Sequence, residues 1–230
     1  MTSRQYYIKA RLFPTILTII PLLVFVNVIV LDLYYGKLTP IFDILPVLIN
    51  LGLSTALIFL MVQINRLIAK EVFQRFYFQD ELEMPTTNHL LWSDTLIEES
   101  VKEKLHAKIF SMFGIQIQNA EEERNDELKS RKQIATAVSQ IRITLEDNKL
   151  LLQHNIEYGF FRNLIGGSLI ALLFSIVILI YGSIKYMQNL QTIGIIFLFI
   201  YLIPLALSKL IIKRYGEYYS KILFEQFLSI

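Results

Sequence analysis

Four apolar stretches, at residues 12–31, 44–64, 164–181 and 192–212, constrain this chain more than any other feature. Each is close to the ~20 residues that, at ~1.5 Å rise per residue, cross the ~30 Å hydrocarbon layer of a bilayer. Lipid offers the backbone no hydrogen-bond partner, so each stretch is expected to be a helix that satisfies its own N–H and C=O groups. In a chain of 230 residues that is 54% hydrophobic, blocks of this kind predict an all-α, polytopic membrane protein with four transmembrane helices. The N-terminal stretch follows Arg4, Lys9 and Arg11 and leads into "LDLYYGKLTP", which has no small-residue cleavage site, so it reads as a retained anchor rather than a signal peptide.

Positive residues orient the bundle. Arg4, Lys9, Arg11, Arg66, Lys70, Arg162, Lys213 and Arg214 flank one side, against Lys37 and Lys185 in the short loops opposite. The bias puts both termini and the segment between the second and third stretches in the cytoplasm. Three regions follow: an N-terminal hairpin over 1–64, a cytosolic helical domain over 65–163, and a C-terminal hairpin with an interfacial tail over 164–230. Tyr6, Tyr7, Tyr215, Tyr218 and Tyr219 suit an aromatic belt at the inner surface. The net charge of +2 is too small to point to nucleic acid, and the absence of cysteine excludes disulfides and thiolate chemistry.

The 65–163 segment carries most of the acidic residues. The second stretch continues as a helix through "RLIAKEVFQRFYFQDEL" until Pro85, which lacks a donor and pushes Met84 out of helical geometry. A helix then starts near Ser93, Asp94 and Thr95, with Thr95 and Glu98 at capping-box spacing, and stops at Gly114. "IQIQN" reads as a linker. From Asn119, with Glu122 three residues on, a long helix is expected over 120–158, since no Gly or Pro interrupts it. Ile134, Val138, Ile141, Leu145 and Leu152 form a heptad-like seam, with Asn148 and Asn155 at register-setting places. The seam packs either within one subunit or between subunits. At ~100° per residue, Arg124, Arg131, Arg142 and Lys149 share a face beside it. Such a stripe suits an anionic ligand such as a nucleotide, because guanidinium forks match phosphate oxygens. With Glu127 and Glu146 four residues from Arg131 and Arg142, it equally suits a solvated face with local ion pairs.

Within the apolar stretches, Gly167, Ala171 and Ser175, and likewise Gly52 and Ala56, repeat every four residues, a spacing that lets helices approach closely in lipid. Asn27 and Asn50 both lie in the outer half and serve as interhelical glue or line a polar path. Tyr158, Gly159 and Arg162 mark the entry to the third stretch. Gly159 is the place where the long helix can bend, and Arg162 can reach toward lipid phosphate. No metal-ligand spacing, phosphate loop or nucleophile with an adjacent base is present, so the chain reads as non-enzymatic, without cofactor or metal.

"MPTTNHLLWSD" and "QHNIEYGFFRNLIGGS", set in a layout of two spans, a cytosolic helical insert and two spans, resemble bacterial four-transmembrane effector-type proteins associated with anti-phage signalling systems. The resemblance implies an inner-membrane protein whose insert senses a nucleotide second messenger or a partner protein, and whose spans, working as a homo-oligomer among membrane lipids, alter permeability. A non-conducting adaptor that docks a cytosolic partner through the insert is the competing expectation.

Overall fold

The computed structural model describes residues 2–30, 54–78 and 81–230. All regular structure among them is helical. The chain divides into two compact units, one built chiefly from Gln74–Tyr158 and Leu210–Ile230, the other from Ser3–Phe73 and Gly159–Lys209. We refer to them as the charged unit and the apolar unit.

In the apolar unit, α1 (Arg4–Thr18) and α2 (Ile20–Val30) form a pair bent by 42°, with stretches of wider π-type winding at Tyr7–Leu12 and Phe25–Val30. Two prolines account for the irregularity. Pro14 cannot donate to the Ala10 carbonyl, and Pro21 cannot donate to that of Leu17, each four residues back. Both carbonyls are answered from other helices: Asn163 Nδ2 donates to Ala10 at 2.7 Å, and the Tyr201 hydroxyl donates to Leu17 at 2.6 Å. Helix α3 (Ser54–Ile68) continues in π geometry over Ala69–Gln74 and ends with the turn Arg75–Phe78. Ile19, Leu22 and Met61 form a small core against Ile58, Ile170 and Phe174. Helices α8 (Lys149–Ile184) and α9 (Gln188–Ala206) are each long and apolar enough to cross a membrane, and the bent α1–α2 pair makes a third candidate span. Among the described residues the candidate spans thus number two or three, not four; the first half of the 44–64 stretch, residues 44–53, lies outside them.

In the charged unit, Met84 is extended and Pro85 opens a single turn, α4 (Pro85–Asn88). Helix α5 (Glu99–Phe113) starts later than the Ser93–Thr95 reading: Glu98 stands at its N-cap and no side chain caps it. It stops at Gly114, whose φ of +66° is the left-handed conformation a glycine tolerates. Helix α6 (Ala120–Asn125) opens with the Asn119–Glu122 capping box. The uninterrupted 120–158 helix gives way to three segments, α6, α7 (Glu127–Thr144) and the start of α8. Asp126 caps α7 by accepting from Lys129 N at 3.1 Å, and Asn148 caps α8 by accepting from Leu151 N at 2.9 Å. Short polar side chains can end and restart a helix by bonding backbone N–H groups, which a search for Gly and Pro alone does not detect.

The seam packs inside the subunit. Ile134, Val138, Ile141 and Leu145 join Leu90, Leu105, Ile109 and Leu151 in one buried core. Helix α10 (Ser208–Ser229) adds Leu223, Phe224 and Phe227 to that core, whereas Leu152 of the expected seam is half-buried and outside it. The expected interfacial tail is therefore an amphipathic helix closing the charged unit, and the helix boundary falls at Leu207 rather than after Ile212.

Candidate functional site

The basic stripe does not converge on a common ligand. Arg131 donates through Nε to Glu127 at 2.7 Å, and through Nη1 to the Leu82 carbonyl and to Asn88 Oδ1, also at 2.7 Å. Arg142 donates to Thr86 Oγ1 at 3.3 Å and lies 5.8 Å from the centre of the Tyr219 ring. These two arginines tie the segment 82–88 and α10 to α7. Arg124 and Lys149 are exposed on other helices, because the caps at Asp126 and Asn148 break the shared face.

The best-built polar feature of the charged unit is the loop that follows α4, and two buried ions of opposite charge hold it. Glu123, 3% exposed, accepts from the N–H groups of Trp92 and Ser93 at 2.9 Å each. Lys102, 2% exposed, donates from Nζ to the carbonyls of Leu91 at 2.7 Å and of Asp94. His106 Nε2 donates to the Leu90 carbonyl at 2.9 Å, and Trp92 Nε1 donates to that of Gln118 at 2.8 Å. The Trp92 indole also meets the His106 ring edge-on, with centres 4.8 Å apart. Burial pushes the Lys102 ammonium and the His106 imidazole below their ordinary pKa values, partly offset for lysine by Asp94 and Glu123 and for histidine by its bond to Leu90.

Beside the loop lies a cleft of about 430 Å³ lined by Trp92, Asp94, Glu98, Glu99, Lys102 and Arg124, with Glu123 behind. The Lys102 donors are committed to backbone oxygens, and carboxylates outnumber cations around the opening, so a phosphate group gains little here. Among the described residues no group of three or more His, Asp or Glu side chains is placed to hold a metal ion.

Helix α8 keeps its helical winding through Gly159, the first α8 residue of the apolar unit. This glycine is a point of close approach: an added Cβ would stand 2.8 Å from the Tyr6 hydroxyl and 3.0 Å from Ala10 Cβ. Arg162, expected at the headgroups, is only 8% exposed. In the charged unit, Tyr158 is buried and donates to Gln74 Oε1 at 3.4 Å. Gly167, Ala171 and Ser175 all lie on the buried face of α8. Gly166 presses on α3, where a Cβ would collide with the Asn65 backbone, and Gly167 on both α1 and α3, where it would meet the Thr18 and Asn65 side chains. Asn65 Nδ2 in turn donates to Thr15 Oγ1 at 3.2 Å and Thr18 Oγ1 at 3.0 Å, a buried polar knot joining α1 and α3.

Ala56 is exposed, and its expected stripe partner Gly52, like Asn50, lies outside the described residues. Asn27 is exposed and donates back to Leu23 O of its own helix at 2.8 Å. The polar residues that do join helices, Asn65, Asn163 and Tyr201, were signalled by Pro14 and Pro21, whose orphaned carbonyls need donors, and by Asn65 standing just beyond the second apolar stretch. Lys102 and Glu123 carried no such signal, because nothing in their spacing sets them apart from surface charges.

Comparison with protein-family models, with curated proteins and with solved structures finds no match to this chain.

Proposed function

We propose that the chain is a bacterial inner-membrane protein with four transmembrane helices and cytoplasmic termini, whose charged unit receives a cytosolic signal and whose apolar unit answers by altering membrane permeability. The observation that carries this reading is that helix α8 supplies buried side chains to both units, Leu151 and Tyr158 to one and Ile165, Ala171 and Ile178 to the other. A rotation or shift of such an element at one end acts on packing at the other, and interfaces of packed small residues switch between discrete arrangements rather than deforming smoothly. Self-association in the membrane and a role in anti-phage defence belong to the same proposal and draw on the resemblance of layout. Dye entry or loss of membrane potential in cells, upon induction and phage challenge, is the expected result. Intact polarisation in dying cells overturns it.

A second reading, a non-conducting adaptor, is favoured by Asn27, whose amide is spent on its own helix. Under that reading Asn27→Leu with Asn50→Leu leaves activity unchanged, whereas a conducting effector loses or alters it.

A further inference from the structure

A second pocket of the charged unit lies between α5 and α10 and has a volume of about 440 Å³, within the ~300–1,000 Å³ range of small-molecule sites. Its floor is apolar, formed by Ile97, Val101, Phe224 and Leu228. The rim carries Leu96 and Tyr218, which are 67% and 44% exposed and extend the apolar lining toward solvent. The one polar group of the wall that is deeply buried is His89, at 5% exposure, and its ring makes no hydrogen bond among the described residues. Its ring nitrogens are not sealed off from solvent, so from a largely buried ring they reach the open space of the pocket, where an occupant can meet them. Burial lowers the pKa of His89 against the opposing pull of Asp94 and Glu217, so at neutral pH the ring is uncharged and offers one donor and one acceptor. An apolar floor penalises any unpaired charge, and the charges at the mouth are matched in pairs, Glu217 with Lys213 at 4.0 Å and Glu225 with Lys221 at 3.8 Å, which leaves little to attract an ionised ligand.

We propose that this pocket binds a small, uncharged, mainly apolar molecule carrying one hydroxyl or amide group that hydrogen-bonds the His89 ring. The site stands on the charged unit alone and does not depend on the permeability reading. It differs in ligand class from the nucleotide expected at the arginine stripe.

The test uses the full chain in detergent, labelled with 15N-histidine so that its three ring systems are resolved, and 3-phenylpropan-1-ol as the probe. The expected result is a saturable shift confined to the His89 ring, with 3-phenylpropanoate at least ~10-fold weaker. Leu96→Trp, at an exposed rim position where the fold is not at stake, weakens the alcohol by a similar factor, and His89→Phe reduces its affinity without closing the pocket. A shift that never saturates, a carboxylate that binds as well as the alcohol, or an affinity untouched by both variants overturns the proposal. So does a Leu96→Cys chain, otherwise cysteine-free, that cross-links to a second copy across the pocket and is not released by the probe.

Discussion

Replacing Phe227 with alanine tests whether α10 belongs to the core of the charged unit or lies at the membrane surface. The ring is fully buried, stacks on Phe113 with centres 5.8 Å apart and planes 16° from parallel, and lies 5.4 Å beneath the Lys108 ammonium. Truncating a phenylalanine in a close-packed core costs ~3–5 kcal/mol, as lost transfer free energy plus the cavity that remains. Set against the ~5–15 kcal/mol that holds a domain together, this removes about a fifth of the stability or more. With a urea slope of ~1–3 kcal/mol per molar, the midpoint of unfolding falls by roughly 1–5 M.

Trp92, the single tryptophan of the chain, sits on the clamped loop of the same unit, so its emission follows that unit's unfolding in the detergent-solubilised protein. Ile230→Ala, at a residue 60% exposed on the same end of the chain, is the control and shifts stability by less than ~0.5 kcal/mol. Equal midpoints for the two variants would refute the core assignment and return α10 to the aromatic belt.

Three further outcomes are expected. Gly166→Ala destabilises the apolar unit more than Gly167→Ala, by ~1–3 kcal/mol for an overpacked contact, because the former meets the Asn65 backbone and the latter only side-chain ends of Thr18 and Asn65; the reverse order in denaturing-detergent titrations refutes the packing. Glu123→Gln leaves one of the two part-buried N–H groups facing an amide and strips Lys102 of its nearby anion, at ~1–3 kcal/mol, with a red shift of Trp92 emission that exposed Glu121→Gln does not produce. Burial holds the pKa of His89 and His106 below the ordinary 6.5, so below that pH the unfolded chain binds more protons than the folded one. The Trp92-monitored midpoint therefore falls as pH drops below 6.5 and is flat just above it, and a midpoint that rises on acidification contradicts the burial.

Much of the secondary structure was legible in local chemistry. The apolar blocks became α8 and α9, Asn119 with Glu122 formed its capping box, Gly114 took the left-handed turn, and Pro85 turned Met84 extended. These signals act within one helical turn, where residue type dictates backbone conformation. The breaks at Asp126 and Asn148 were missed because aspartate and asparagine inside a polar run look like solvated surface until their side chains fold back on an N–H. The role of α10 was hidden for another reason. "EYYSKILFEQFLSI" reads equally as an interfacial helix or as the closing helix of a core, and only the tertiary partners Phe113, Ile109 and Leu105 decide between them. The same holds for Lys102, whose carbonyl cage is assembled from a loop with no periodicity of its own.

Under the permeability reading proposed above, the polar contacts of the apolar unit are what would hold a resting state. Thr15 and Thr18 to Asn65, Asn163 to Ala10, and Tyr201 to Leu17 make four bonds between segments far apart in sequence. Interhelical bonds of this kind are worth ~0.6–1.7 kcal/mol each in a membrane, so separating the helices costs ~2–7 kcal/mol. Moving a two-state equilibrium from 1:99 to 99:1 takes ~5.5 kcal/mol of differential binding. The contacts are thus strong enough to hold a resting state and weak enough for a ligand to overcome. Asn65→Ala, which removes two of the four, lowers the barrier to opening by ~1–3 kcal/mol and should raise permeability in the absence of any trigger. A variant that is less stable yet leaves cells fully polarised, with or without the trigger, would mean that these contacts are glue and that the signal leaves the protein through a docked partner.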